Sequence, residues 1–119
     1  MPIVWVPVAN LDRAKKFYVD KVGMRLRQDI QIDFAEPRAR RVLVAPEGSR
    51  EPIGLMESES PGTTVLVLAT DDLMADYDRL LTKGVEFERP PKDEPWGVDA
   101  VFRDPDGNRL ILRQQNALL

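Results

Sequence analysis

The stretch Thr64-Val65-Leu66-Val67-Leu68-Ala69-Thr70-Asp71-Asp72-Leu73 decides the fold, because it restarts an order that the chain has already used once. Thr64 to Ala69 is a near-continuous apolar run of strand length. Asp71 or Asp72 then supplies a helix N-cap, and Leu73, Tyr77, Leu80 and Leu81 recur on one helical face until Gly84 stops it. At the other end of the chain, Ile3-Val4-Trp5-Val6-Pro7-Val8 is a β-branched and aromatic strand in which Pro7 favours an edge or a bulge. Asn10 caps a first helix, in which Leu11, Ala14, Phe17, Tyr18 and Val22 keep helical spacing up to Gly23. The caps Asn10 and Asp72 are 62 residues apart and the terminating glycines 61, so one supersecondary unit occurs twice.

Each helix is followed by three strand-like segments. In the first half these are Met24 to Phe34, Arg41 to Ala45 and Ile53 to Glu57; in the second, Val85 to Phe87, Asp99 to Phe102 and Arg109 to Gln114. Glu36-Pro37 and Ala45-Pro46-Glu47-Gly48-Ser49 are turns, and Glu59-Ser60-Pro61-Gly62 is a hinge. The chain therefore reads βαβββ twice, as pseudo-repeats 1–58 and 62–119 of one domain, 1–119. Asp104-Pro105-Asp106-Gly107-Asn108 joins the last two strands and reads as a hairpin turn and no active-site loop.

Composition narrows the chemistry. The 119 residues contain no cysteine, which excludes disulfides, thiol nucleophiles and zinc ribbons, and no histidine, which removes the commonest metal ligand and general base. With 17 basic against 20 acidic residues and a net charge of −3, the chain has no electrostatic footprint for nucleic acid. It has no apolar run near the ~20 residues of a membrane span, and Met1-Pro2-Ile3-Val4-Trp5 does not read as a signal peptide. A cytoplasmic protein without nucleic-acid or membrane partners is expected.

The order of these segments resembles the vicinal oxygen chelate superfamily, the glyoxalase I, bleomycin-resistance and extradiol-dioxygenase group. The resemblance is carried by Val8-Ala9-Asn10-Leu11-Asp12-Arg13-Ala14 with Phe17-Tyr18 and Gly23, and by Asp71-Asp72-Leu73, Lys83-Gly84-Val85-Glu86-Phe87 and Pro95-Trp96-Gly97. Above all it is carried by Phe102-Arg103-Asp104-Pro105-Asp106-Gly107-Asn108, and it spans essentially the whole chain. It implies an α+β fold in which two tandem βαβββ units form a curled eight-stranded mixed sheet, with helices on the convex face, a cavity on the concave side and a homodimer completing the site. Strand alternation then turns Val4, Val6 and Val8 to the helix, and Ile3, Trp5 and Pro7 to the concave side. The same parity sends Val65, Val67, Arg109, Ile111 and Arg113 to the opposite wall.

The resemblance also locates the ligands of the family's metal-dependent enzymes: a histidine at the start of the first strand of each half and a glutamate after the Asp-Gly-Asn turn. In this chain those positions are Ile3, Val65 (Thr64 if the register slips by one) and Ile111. Aliphatic side chains cannot coordinate, so the usual site is missing and no cofactor is expected. Glu57 lies where such enzymes often place a further carboxylate, which alone would give at best a weak, hydrated Mg²⁺ or Ca²⁺ site.

The candidate ligand-binding residues are Ile3, Trp5, Glu57, Val65, Val67, Trp96, Phe102, Arg109, Ile111 and Arg113; no catalytic residue is assigned. Trp5 projects to the concave side, and the resemblance sets Pro95-Trp96-Gly97 as a loop over the cavity mouth; both indoles are ligand walls or ordinary core and interface aromatics. Arg109 and Arg113 are the candidate anion binders, whereas Arg38, Arg40 and Arg41 read as a charge-protected strand edge. Asp29, Asp33, Glu57 and Asp99 are candidates to line a pocket of mixed polarity. The expected function is metal-free binding of a small apolar or aromatic molecule, in the manner of bleomycin-resistance proteins. The alternatives are a glyoxalase- or dioxygenase-like enzyme (lyase, isomerase or oxidoreductase) with a non-standard carboxylate metal site, and a structural or regulatory dimer with a collapsed cavity.

Overall fold

Two capped helices and eight alternating strands generate the architecture. The computed structural model describes residues 3–33, 35 and 40–115; Phe34, the Glu36-Pro37 turn and Arg38 lie outside them. β1 (Val4–Val8) leads into α1 (Leu11–Lys16), a π-helical stretch (Phe17–Lys21), β2 (Arg25–Gln31), β3 (Arg40–Ala45) and β4 (Ile53–Glu57). The second unit repeats the order as β5 (Val65–Ala69), α2 (Leu73–Thr82), β6 (Phe87–Glu94), β7 (Gly97–Arg103) and β8 (Arg109–Gln115). The strands form two four-stranded mixed sheets, ordered β1-β4-β3-β2 and β5-β8-β7-β6. In each, the first and last strands of the unit pair in parallel and the rest are antiparallel.

Caps form as their residue types predict. The Asn10 side chain accepts from Arg13 N at 2.9 Å and Asp72 from Ala75 N at 3.1 Å. A second oxygen reaches each helix start from the last strand of the same unit: Glu57 Oε1 accepts from Leu11 N at 3.3 Å, and Gln114 Oε1 from Leu73 N at 2.8 Å. Past Lys16 the helix widens, and Val22 N donates to Phe17 O, five residues back, at 2.9 Å. In this wider turn two consecutive rings are buried, Phe17 and Tyr18, edge to face with centroids 5.3 Å apart. Together with Leu11, Ala14, Leu73 and Leu80 they cover the inner faces of both sheets, where Val6, Val42, Leu55, Ala100, Phe102 and Leu110 complete one shared core.

β6 extends well past the predicted Val85 to Phe87. It continues through Pro90 and Pro91 to Glu94, which it can do because it is an edge strand whose missing N–H groups cost the sheet nothing. Its register shifts twice ahead of Lys92, accommodating the prolines. Glu94 pairs with Gly97, so Pro95 and Trp96 form the two-residue turn of a β6–β7 hairpin rather than a free loop.

Asp104-Pro105-Asp106-Gly107-Asn108 is more than the turn its composition suggests: it latches the two units together. The buried Tyr18 hydroxyl donates to Asp104 Oδ2 at 2.7 Å, and Asp104 Oδ1 accepts from the backbone N–H groups of Asp106 and Asn108, both at 2.9 Å. Asn108, fully buried, donates to Asp104 at 2.7 Å and to the Pro7 carbonyl at 2.9 Å, and accepts from Thr64 N at 2.9 Å. Asp106 accepts from Ala9 N at 3.1 Å and from the Arg13 guanidinium at 2.6 Å. Burial, and then the neighbouring Asp104 charge, push the Tyr18 phenol far above its ordinary range, so it stays a donor. Gly62, at φ +82°, passes so close to the Asp106 carbonyl that any side chain there would collide with it. Just past the π-helical stretch, Arg79 of α2 adds a bond to the Val22 carbonyl at 2.8 Å. Among the described residues no helix is long and apolar enough to cross a membrane.

Replacing Asn108 by alanine removes all three of these side-chain bonds and leaves the Pro7 carbonyl, Thr64 N and Asp104 short of partners. A loss of about 2–4 kcal/mol is expected in urea unfolding. A loss below about 1 kcal/mol would reduce the loop to an ordinary turn.

Candidate binding site

Alternation gives each sheet an inner face on the core and an outer face away from it. On the first sheet the outer face carries Trp5, with Gly54, Leu43 and Gln28 beside it in successive strands, and a second row that includes Met56, Arg41 and Ile30. The Trp5 indole lies across Gly54, where even a methyl group would collide with the ring. The Arg41 guanidinium stands 5.8 Å from the indole centroid, within cation–π reach.

The second sheet's outer face carries Val65 and Val67 of β5, beside Arg109 and Ile111 of β8, which in turn face Arg103 and Val101 of β7. One row further, Arg113 faces Asp99, which is only 3% exposed. Arg113 grips Asp99 in a two-bond fork at 2.9 and 3.1 Å, and Trp96 Nε1 donates to the same carboxylate at 3.2 Å. Arg113 also stands 5.3 Å from the Trp96 centroid. Its hydrogen bonds hold the Asp99 carboxyl below the usual range against the opposing effect of burial. Glu88 accepts from Arg103 at 2.6 Å and from Arg109 at 3.0 Å, and the Arg103 bond is the main cause that lowers its carboxyl.

Val65, Val67, Trp96, Arg109, Ile111 and Arg113 are thus brought together on the second sheet. Trp5, and Ile3 just ahead of β1, belong to the first, a separate four-stranded sheet. Two expected lining residues sit elsewhere. Glu57 pairs with Val8, on the inner side of β4, where it serves the α1 start; the outer position is Met56, one residue back. Phe102 is fully buried on the inner face of β7, with its ring against Phe17 and Phe87.

The four carboxylates expected to share a pocket are also dispersed. Asp29 faces α1, where Lys15 and both Arg40 donors reach it at 2.8 Å, and Asp33 lies exposed beyond β2. The Arg40 hydrogen bonds foremost hold Asp29 far below the ordinary carboxylate range. Arg40, which also pairs with Asp12 at 2.9 Å, is therefore a strand-to-helix tie and not a solvated edge charge. The residues that sequence reading missed are Met56, Arg89 and Glu88. Glu57 and Gln114 are equivalent in the two units, each meeting the start of its unit's helix, but the 61–62-residue offset of the helices does not align them, so the sequence offered no signal to separate Met56 from Glu57.

The donor set does not fit the metal of the family's enzymes: the three ligand positions are aliphatic and the Glu57 carboxylate is engaged at Leu11. Among the described residues no group of three or more Asp or Glu side chains is placed to hold an ion. A cleft of about 1040 Å³ opens between the units beside Leu66, Leu80 and Phe102, and a smaller one of about 410 Å³ beside Leu73 and Pro91; neither contains a tryptophan.

Residues 2–112 match the family model described as the Glyoxalase/Bleomycin resistance protein/Dioxygenase superfamily. The chain belongs to this superfamily. Among solved structures, the superfamily fold is shared with TnmS3, an antibiotic binding protein from Streptomyces sp. CB03234, at 37% identity and a TM-score of 0.84 over 98% of both chains. A glyoxalase/bleomycin resistance protein from the same strain is similar at 39% identity and a TM-score of 0.82, over 94% of this chain and 97% of that one. An uncharacterized protein of Shewanella frigidimarina (strain NCIMB 400) is 35% identical over 92% of this chain and 88% of its own length.

Two measurements test this geometry. Asp29 and Asp99 stay ionised in the fold where an unfolded aspartate, near pH 3.9, would take a proton, so their contribution is whole above that pH and fades as pH falls through the lower folded values. The urea midpoint is therefore expected to hold from pH 8 to about 5 and to drop below about 4, with a shallower acid limb in Asp29→Asn; parallel limbs would show that the Asp29 pairs contribute nothing. Gly54→Ala in a Trp96→Phe background is expected to displace the Trp5 indole and red-shift its emission, and an unchanged spectrum would count against the indole seat.

Proposed function

We propose that this protein binds a small aromatic molecule on its outer sheet faces and sequesters it without chemistry, as a homodimer in the cytoplasm. The observation that carries this reading is a concentration of exposed apolar and aromatic side chains on surfaces that the core does not use. Trp5, Ile30, Met56, Val65, Val67 and Trp96 are all more than a third exposed. Three of them lie on each sheet, and apolar exposure grouped in this way marks a site of association. The resemblance to a protein described as antibiotic binding supports a small molecule as the occupant.

The physical logic favours flat, unsaturated ligands. Each indole stands with a guanidinium over its ring, and the two planar groups together make a rigid platform for a flat ligand. Covering about 150–250 Å² of aromatic surface at about 25 cal/mol per Å² yields some 4–6 kcal/mol before the cost of association. An open sheet face covers only one side of a ligand, whereas binding sites bury most of it. A second copy of the chain, laid face to face, supplies the missing wall and hides the exposed valines.

Titration of tryptophan emission against a panel of polycyclic aromatic antibiotics tests the reading. Saturable quenching is expected, reduced in amplitude by Trp5→Phe or Trp96→Phe and at least fivefold smaller in one of the two, with sedimentation at the mass of two chains. A monomer that no panel member quenches would sink the proposal.

A further inference from the structure

We infer that the outer face of the second sheet selects an anionic aromatic ligand, an inference that rests on the binding role proposed above and adds the sign of the ligand's charge. The whole chain carries −3, yet on this face the guanidinium groups outnumber their carboxylates two to one, twice over. At one end Arg113 and Arg89 share Asp99; at the other Arg103 and Arg109 share Glu88. Lys92 and Glu94, at the hairpin end, balance each other at 3.7 Å. The excess positive charge therefore flanks the apolar row Val67, Ile111 and Val101 on both sides along the strands.

Geometry identifies the group that would meet the anion. Both Asp99 oxygens are already taken by the Arg113 fork, and one also by the Trp96 indole. Arg89 reaches that carboxylate only at 4.0 Å, and its other nitrogen makes a long 3.4 Å bond to the Asp99 carbonyl. It is a third exposed, beside Trp96 and opposite Val101 in register. A guanidinium so weakly held has donors to spare for a carboxylate or an acidic phenolate, and charge-assisted bonds of that kind are short and strong. Arg109 and Arg113 lie four residues apart along β8, about 13 Å at strand rise, so a fused ring system laid along the strand over Ile111 can turn its acidic group to either arginine pair. A cationic ligand would meet like charge at both ends.

Calorimetric titration with three matched probes tests this: 2-naphthoate, 2-naphthamide and 2-naphthylmethylammonium. Naphthoate is expected to bind at least tenfold tighter than the amide, with the ammonium compound weakest and the advantage shrinking as salt is raised. Arg89→Gln combined with Arg103→Gln is expected to bring naphthoate down to the amide's affinity, and Arg89→Lys to retain part of the preference; circular dichroism confirms that each variant is folded. Equal or tighter binding of the amide or the ammonium compound overturns the inference, as does a naphthoate preference that survives loss of both arginines. If no probe binds, the inference falls together with the proposed function; if the amide binds and the charge adds nothing, the inference alone falls.

Discussion

One buried carboxylate, Asp104, makes two similar halves into a single molecule. A charge taken out of water is costly unless every lone pair is engaged, and here a phenol, an amide and two backbone N–H groups converge on it. The phenol comes from the helix of the first unit; the other three donors belong to the second unit's own loop. Asn108 passes the connection on to the Pro7 carbonyl near the end of β1. Trp5 lies two residues before that anchor and Arg109 one residue after Asn108, so both outer faces hang from the same few bonds.

Much of this was legible from the sequence wherever the signal was local. Helix caps, the glycine stops and the doubled order depend on residues within a turn of one another, and Asn10 and Asp72 behave as their types predict. The latch was not legible, because Asp, Pro, Gly and Asn make a good turn whatever lies across from them. Its partners, Tyr18 and Pro7, are 86 and 101 residues away from Asp104 and Asn108 respectively. β6 was missed for a different reason: prolines argue against a strand in general, but not on an edge that needs no further hydrogen bonds.

The site divides along the same line. Alternation placed Trp5, Val65, Val67, Arg109, Ile111 and Arg113 on outer faces, because parity along one strand is a local property. Glu57 failed by a single step, which in a strand exchanges one side of the sheet for the other, and its companion Gln114 shows what the position is for. Phe102 lies on the inner face of β7, because an aromatic residue next to a conspicuous loop serves the core as readily as a wall. The pairing of four arginines with two carboxylates depends on cross-strand register and twin bulges in β6, which no sequence pattern discloses.

Asp99 holds the Arg113 fork with both oxygens and the Trp96 ring with one of the same two. The indole and the guanidinium consequently cannot wander independently: a rotation of one breaks the shared hinge of the other. Their conformational freedom is surrendered when the chain folds, so this corner of the molecule is already shaped, and a ring laid against it would have little further ordering to impose.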